Sequence, residues 1–169
     1  MNTKNIVIFS ASEQKNLELA QQFNEQLTGM GVQTNLINIL DLELPLYSSR
    51  ADSKYKVEEL LASVLPKISN ATALVFVAPE YNGSTPPAFN NFLAWLSRSS
   101  KDWREHLNGK HAAIATFSAG GGVNVLLAMR TQLSFIGVNV LGRQIHTTFS
   151  KPLDQASLEA VCRELVKFS

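Results

Sequence analysis

Residues Ala78–Pro87 read APEYNGSTPP and lie between a wholly apolar run, Ala73–Ala78 (ALVFVA), and an amphipathic run, Ala88–Arg98 (AFNNFLAWLSR). The apolar run predicts a buried strand, and Pro86 or Pro87 suits the first turn of the helix that follows. A plain strand-to-helix connection needs only a few turn residues and an N-cap. This connection holds an acid, a phenol, an amide, a glycine and a hydroxyl, so we interpret it as part of a binding site.

The same strand-to-helix alternation runs through the whole chain. Short apolar strands are predicted within Lys4–Ser10, Val32–Ile39, Ala73–Ala78, His111–Phe117 and Val138–Phe149, and each precedes a helical pattern. This order predicts an α/β fold with a parallel sheet between helices on both faces. Five strands favour the flavodoxin-like three-layer sandwich, strand order 2-1-3-4-5, as one domain over residues 1–169. A truncated six-strand dinucleotide fold is the alternative, which the chain length favours less.

Composition excludes several classes of function. The chain has 169 residues, 45% of them hydrophobic, and a net charge of +1, so it has no overall field that would attract nucleic acid or an anionic membrane. We expect no signal peptide in the first ten residues and a cytoplasmic location. Cys162 stands alone and is interpreted as buried packing, and the three histidines lie at no metal-ligand spacing.

Small and polar residues follow three of the predicted strands. Ser10–Asn16 (SASEQKN) follows the first strand, Pro79–Ser84 (PEYNGS) the third, and Ser118–Gly122 (SAGGG) the fourth. In the order 2-1-3-4-5 these three strands are neighbours, and ligands bind outside the carboxyl ends of such strands. We therefore expect the three loops to meet in one crevice.

Each loop suggests a different contact with a ligand. The first opens a helix, where backbone N–H groups, the hydroxyls of Ser10 and Ser12 and the Asn16 amide suit a phosphate, although plain N-capping by Ser12 is an alternative. The Ser118–Gly122 loop lets backbone approach a flat ligand, or is simply a flexible connection. The Pro79–Ser84 loop offers donors to a heteroaromatic edge, and Tyr81 either packs on a ring or packs as an ordinary interfacial residue.

The candidate cofactor-binding residues are Ser10, Ser12, Lys15, Asn16, Pro79, Glu80, Tyr81, Asn82, Gly83, Ser84, Ser118, Gly120, Gly121 and Gly122. The sequence shows no nucleophile elbow and no paired carboxylates in this region. We therefore predict no catalytic side chain, and the chemistry would fall to a cofactor.

The run PEYNGSTPPAFNNFLAWLSR resembles the central motif of the NADPH-dependent FMN reductase family, a flavodoxin-like group of quinone, chromate and azo-dye reductases. That motif is P-E-Y-N-x-S-x-P followed by a helix with an asparagine and a tryptophan, here Asn90 or Asn91 and Trp95. The loop DLELPLY (Asp41–Tyr47), Gly109-Lys110 and the SAGGG loop are also similar to the family.

The resemblance implies non-covalent FMN in the crevice, with its phosphate on the first loop and its ring against the other two loops. It implies that NADPH or NADH reduces the flavin and that the flavin reduces a quinone or another small acceptor. The family forms dimers, so a homodimer or homotetramer is expected.

The first loop departs from the family pattern. The family reads G-S-x-R-x-x-S where this chain has SASEQKN, without the arginine that can hold a phosphate through two bonds. The SAGGG loop is also shorter than is common. The alternative is therefore a non-catalytic flavin-binding sensor or partner module, or a protein that uses flavin as a diffusible substrate. A third possibility is a structural dimerisation domain that binds no flavin.

Overall fold

A computed structural model describes residues 4–169; Met1–Thr3, which begin the segment where no signal peptide is expected, lie outside the described residues. The strands are β1 (Asn5–Ser10), β2 (Gln33–Asn38), β3 (Ala73–Val77), β4 (His111–Phe117), β5 (Asn139–Val140) and β6 (Ile145–Thr147). The helices are α1 (Lys15–Gly29), α2 (Ser49–Lys54), α3 (Val57–Leu60), α4 (Leu65–Ser69), α5 (Pro87–Leu96), α6 (Val123–Phe135) and α7 (Gln155–Lys167).

The strands form one parallel sheet in the order β2-β1-β3-β4-β5, which confirms the predicted flavodoxin-like topology. The fifth position differs from the prediction, because two short strands fill it in place of one extended run over Val138–Phe149. Both β5 and β6 pair with β4, at its start and at its end respectively. The chain between them leaves the sheet at Leu141–Gln144, where Arg130 donates to the carbonyls of Leu141 and Gly142.

Alternate residues of each central strand face opposite layers. Val7 and Phe9 of β1 pack in the layer that contains α5 and α6, whereas Ile6 and Ile8 pack in the layer that contains α1 and α7. A parallel strand buried on both faces must be apolar throughout, which is why these strands read as continuous hydrophobic runs. None of the helices within residues 4–169 is both long and apolar enough to cross a membrane.

The segment after β2 contains helix that its sequence did not predict. A 3₁₀-helix spans Ile39–Leu42, and Ser48 caps α2 by accepting a hydrogen bond from the Ala51 N–H. Two short helices, α3 and α4, follow α2 before β3 begins. Pro66 lies in the first turn of α4, where a backbone N–H has no helical acceptor, so the proline costs no hydrogen bond.

Candidate functional site

The three loops predicted to converge lie at the same edge of the sheet and are joined by hydrogen bonds. The Ala11 N–H donates to Val77 O at 2.9 Å, which ties the first loop to the end of β3. The Thr116 hydroxyl, buried in β4, donates to Ala78 O at 2.7 Å and ties β4 to the start of the Pro79–Ser84 loop. The crevice is therefore built on the carboxyl ends of β1, β3 and β4, as the strand order requires.

The first loop offers unpaired backbone donors beside the first turn of α1. Within residues 4–169, no acceptor is bonded to the N–H groups of Ser12, Glu13, Lys15 or Asn16. The Ser12 hydroxyl accepts from the Gln14 N–H at 3.3 Å, so it shapes the turn and does not cap α1, whose N-cap is Gln14. These N–H groups and the helix dipole suit a phosphate.

Two candidate side chains of the first loop already have hydrogen-bond partners within the chain. The Ser10 hydroxyl is buried and donates to Ser12 O at 3.0 Å, within its own loop. Lys15 pairs with Glu18 at 2.8 Å, and both side chains are more than half exposed. An exposed pair of this kind is weak, so Lys15 remains able to turn towards an anion.

Asn16 has a structural role that its sequence position did not reveal. Its side chain is buried, accepts from the Phe117 N–H at 2.7 Å and donates to the Phe117 carbonyl at 2.9 Å. The amide thus links α1 to the end of β4 through two hydrogen bonds to the Phe117 backbone, as a residue of a neighbouring strand would. The amide oxygen and one amide N–H of Asn16 are thus engaged with Phe117, whereas no acceptor in the described chain is bonded to its backbone N–H.

The Pro79–Ser84 loop contains a two-residue reverse turn. Tyr81 and Ser84 exchange two backbone hydrogen bonds of 3.0 Å, and Asn82 and Gly83 between them have φ of 51° and 72°. Two successive positive φ angles are typical of a type I′ turn, for which Asn-Gly is the preferred pair. The dipeptide Asn82-Gly83 is therefore the sequence signal for this turn.

Glu80 connects this loop to the helix that follows the glycine-rich loop. Its carboxylate accepts from the Val125 N–H at 3.2 Å, in the first turn of α6. A carboxylate there satisfies a free N–H and interacts favourably with the positive end of the helix dipole. This contact is made within the chain.

The glycine-rich loop has an open part and a tight part. Gly120 and Gly121 are exposed, and in the described chain no atom lies within 4 Å of a Cβ built on either. Gly122 is buried with φ of 80°, and a Cβ there would lie 2.8 Å from His146 Nε2. The open glycines let a planar ligand approach the backbone closely. Glycine is required at position 122, because the positive φ disfavours other residues and a Cβ would collide with His146.

Asn91 and Trp95 of α5 hold the Leu44–Tyr47 segment. Asn91 accepts from the Tyr47 N–H at 2.7 Å and donates to Pro45 O at 3.1 Å, while Trp95 Nε1 donates to the same carbonyl at 2.7 Å. These residues are four apart and so share one face of the helix. Of the two asparagines that the motif allowed, Asn91 has this role, and Asn90 instead accepts from Thr85 and Gln132.

The described residues fit FMN and offer no competing chemistry. Free N–H groups suit its phosphate, and the exposed backbone of Gly120 and Gly121 with the half-exposed Tyr81 ring suits its isoalloxazine. Burial raises the pKa of the Cys162 thiol to about 12, so it stays protonated and unreactive near neutral pH. Among residues 4–169, no group of three His, Cys, Asp or Glu side chains could hold a metal ion.

Several known sequences match this chain. The sequence profile of the NADPH-dependent FMN reductases matches residues 4–151. A quinone reductase of Escherichia coli K12 is 26% identical over 138 residues, which cover 75% of this chain and 72% of that protein. A 2-hydroxy-1,4-benzoquinone reductase of a Burkholderia species is 38% identical over 78 residues, which cover 46% of this chain and 40% of that protein.

Solved structures show the same fold. FerB, a flavoenzyme NAD(P)H:(acceptor) oxidoreductase from Paracoccus denitrificans, superposes with a TM-score of 0.78 at 20% identity, over 98% of this chain and 96% of FerB. A flavodoxin from the Archaea superposes with a TM-score of 0.65 at 15% identity, over 95% of this chain and 92% of the flavodoxin. The architecture is therefore flavodoxin-like.

Proposed function

This chain belongs to the NADPH-dependent FMN reductase family, and we propose that it passes electrons from reduced nicotinamide through FMN to a quinone or a similar small acceptor. It is an oxidoreductase, with FMN as its cofactor and NAD(P)H as its electron donor. When bound, the flavin supplies the redox chemistry, because it accepts hydride from a nicotinamide and passes two electrons on. The finer proposal concerns the acceptor and the residues that hold the cofactor.

The single observation that carries the proposal is the hydrogen-bonded junction of three loops at one edge of the sheet. The first loop would hold the FMN phosphate through the N–H groups of Ser12, Glu13, Lys15 and Asn16. These donors compensate for the missing arginine, since several backbone N–H groups at a helix N-terminus bind an anion together. The hydroxyl of Ser12 and the Lys15 ammonium would add to them, whereas the Ser10 hydroxyl supports the loop from inside.

The other two loops would hold the ring. Backbone groups of Pro79–Ser84 would meet its polar edge, with the Asn82 amide beside them and the Tyr81 ring against its face. The Ser118–Gly122 loop would approach it with backbone donors that stabilise the negative charge of the reduced state. Glu80 fixes the relative position of these two loops through its bond to Val125.

We propose the class of electron acceptor from the exposure of the site and from the names of the two relatives described above. Tyr81 is 54% exposed, and Gly120 and Gly121 of the glycine-rich loop are also exposed, so two planar reactants can use the site in turn. Both curated relatives described above are named for reducing quinones. A quinone is flat, apolar and able to take two electrons, which suits such a site. We place the reaction in the cytoplasm, where reduced pyridine nucleotides are supplied.

A second copy of the chain would cover an apolar stripe on α6. Val123, Leu127 and Phe135 are 61%, 62% and 68% exposed, and Trp103 packs against Phe135 with ring centroids 5.8 Å apart. A groove of about 400 Å³ lies beside the stripe, between α5 and α6. Because Val123 directly follows the glycine-rich loop, a partner here would border the flavin site. We therefore propose a homodimer, or a homotetramer that contains it, with this stripe at the interface.

Two measurements on the purified chain test the proposed function. Absorbance in the visible range, after FMN is added and the excess removed, reports whether the flavin stays bound. Titration with riboflavin, which lacks the phosphate, is the matched comparison, and weaker binding of riboflavin is expected if the first loop holds phosphate.

Turnover then separates the alternatives. We expect NADPH or NADH to be oxidised in the presence of FMN and a benzoquinone, at a rate that depends on both. Saturable FMN binding without turnover would support a sensor module in place of the enzyme. A chain that binds no flavin and oxidises no nicotinamide would contradict the proposal.

A further inference from the structure

His146 lies against the tight part of the glycine-rich loop. It stands in β6, opposite Thr116 of β4. A Cβ built on Gly122 would lie 2.8 Å from its Nε2 and 2.9 Å from its Cδ2, so this edge of the imidazole directly faces the Gly122 backbone. No local sequence pattern indicates this contact, because Gly122 lies 24 positions away from His146 along the chain.

The Nε2 atom of His146 is buried without a hydrogen-bond partner among residues 4–169. A neutral imidazole nitrogen either donates or accepts a hydrogen bond, according to its tautomer. Leaving such an atom buried and unpaired costs free energy, so an unpaired atom in a folded protein needs an explanation. The atom lies next to a loop that the proposed function assigns to the flavin.

The two sides of this contact differ in rigidity. The β6 side is held in place, because the Thr147 hydroxyl donates to Thr116 O and the Ser118 N–H donates to Thr147 O, both at 3.0 Å. On the loop side, Gly120 and Gly121 have no neighbours at their Cβ positions. A glycine segment of this kind changes its dihedral angles easily. A small shift of the loop can therefore bring one of its peptide groups to the fixed imidazole.

We propose that His146 is a positioning residue of the flavin site, which acts by a hydrogen bond from its Nε2 to the backbone of the Ser118–Gly122 loop when FMN occupies the crevice. The bond pairs the buried nitrogen and fixes the loop in the conformation that holds the ring. This inference rests on the proposed function, because the loop needs a flavin to select that conformation.

Nitrogen NMR of the wild-type chain tests the proposal directly. With ¹⁵N-labelled histidine, the Nε2 signal of His146 is expected to move on addition of FMN as its hydrogen bond forms. His106 is the matched control, because its Nε2 is also buried without a partner in the described chain, but it lies beside Ser69 and away from the crevice. Its signal is expected to stay in place.

Three outcomes of this titration are distinguishable. A shift of the His146 signal alone supports the proposal. FMN binding with the His146 signal unchanged overturns it and leaves the proposed function intact; such a result would fit a water in the small cavity of about 80 Å³ that His146 and Lys151 line. Failure of the wild type to bind FMN overturns both the proposed function and this inference.

Variants provide a second test with rescue by a conservative change. His146→Gln can place a polar atom near the Nε2 position, whereas His146→Asn and His146→Phe cannot. We expect the last two to weaken FMN binding about tenfold, which corresponds to the loss of one hydrogen bond, and the Gln variant to recover most of it. The comparison uses His106→Phe as control and thermal unfolding to confirm that each variant folds.

The midpoint potential of bound FMN separates positioning from general support of the fold. If the bond fixes loop donors that stabilise the reduced flavin, His146→Phe lowers the potential relative to wild type, and His106→Phe leaves it unchanged. Equal affinities and equal potentials in all four variants would overturn the proposal.

Discussion

The carboxylate of Glu80 and the backbone N–H of Val125 are joined by a hydrogen bond of 3.2 Å between the loop after β3 and the first turn of α6. Because α6 begins directly after Gly122, this bond fixes the spacing between the two loops that would face the flavin ring. The charged side chain of one loop thus caps α6, the helix that begins at the end of the other loop.

Replacing Glu80 tests this link. We expect Glu80→Ala to lower the free energy of unfolding by about 1 kcal/mol, the usual value of a lost cap, and to weaken FMN binding as the loops separate. Glu80→Gln keeps an acceptor but loses the charge, so its effects should be smaller. Urea unfolding and FMN titration provide the measurements. Glu80→Ala with wild-type values in both would mean that the bond does not position the loops.

Asn82 is expected to matter through both its backbone and its amide. Its φ of 51° is unfavourable for alanine, so Asn82→Ala should strain the turn by about 1 to 2 kcal/mol and weaken FMN binding. Asn82→Gly keeps the turn and removes only the amide. The expected order of FMN affinity by titration is wild type, Gly variant, Ala variant. Equal affinity of the Gly and Ala variants would show that turn strain has no part in binding.

Gly121 and Gly122 of the SAGGG loop should differ sharply in how well they tolerate substitution by alanine. We expect Gly122→Ala to destabilise the fold by about 2 kcal/mol, because the new Cβ meets both a positive φ and the His146 ring. Gly121→Ala is the matched control and should change stability by less than about 0.5 kcal/mol, since its Cβ would stand in open space. Thermal unfolding compares the two, and equal shifts would contradict the geometry.

The raised pKa of the buried Cys162 thiol predicts that its contribution to the free energy of unfolding depends on pH. Because burial raises the pKa of Cys162 to about 12, the folded chain keeps a proton that the unfolded chain loses from about pH 9 upwards. The stability contributed by Cys162 is therefore present below pH 9 and is lost as pH rises towards 12.

This loss is measured against Cys162→Ala by urea unfolding at pH 8, 9 and 10. The destabilisation caused by the substitution should shrink above pH 9, with a limit of about 1.4 kcal/mol per pH unit. Other groups that titrate in this range are present in both chains and cancel. A difference that stays constant with pH would rule out a raised thiol pKa.

The proposed interface predicts a change in mass on substitution of α6. Leu127→Glu places a charge on the exposed stripe and should convert the oligomer to monomer, as measured by light scattering after size-exclusion chromatography. Phe168→Glu is the control, since Phe168 is 51% exposed but follows α7, on the other side of the sheet. Dissociation by Phe168→Glu and not by Leu127→Glu would place the interface elsewhere.

Patterns that depend on neighbours along the chain were predicted well. The apolar run at Ala73–Val77 predicted β3, because a strand buried on both faces is apolar throughout. The amphipathic run that follows predicted α5, because a helix buried on one face has apolar residues at helical spacing. The count of five strands then favoured the order 2-1-3-4-5, and the expected meeting of three loops followed from that order. Asn82-Gly83 also carries a local signal, because Asn-Gly is the preferred pair of such a turn.

Contacts between distant segments could not be predicted. Asn16 reaches Phe117 across 101 positions, Glu80 reaches Val125 across 45, and His146 meets Gly122 across 24. Arg130 likewise donates to the carbonyls of Leu141 and Gly142, 11 and 12 positions away, where the fifth strand is interrupted.

The sequence by itself therefore determined the central strands, the order of the sheet and the edge at which the three loops meet. Only the tertiary structure decided which polar side chains are engaged in holding the loops. The physical reason is that hydrophobic periodicity is a property of each segment, whereas a hydrogen bond depends on where two separate segments come to lie.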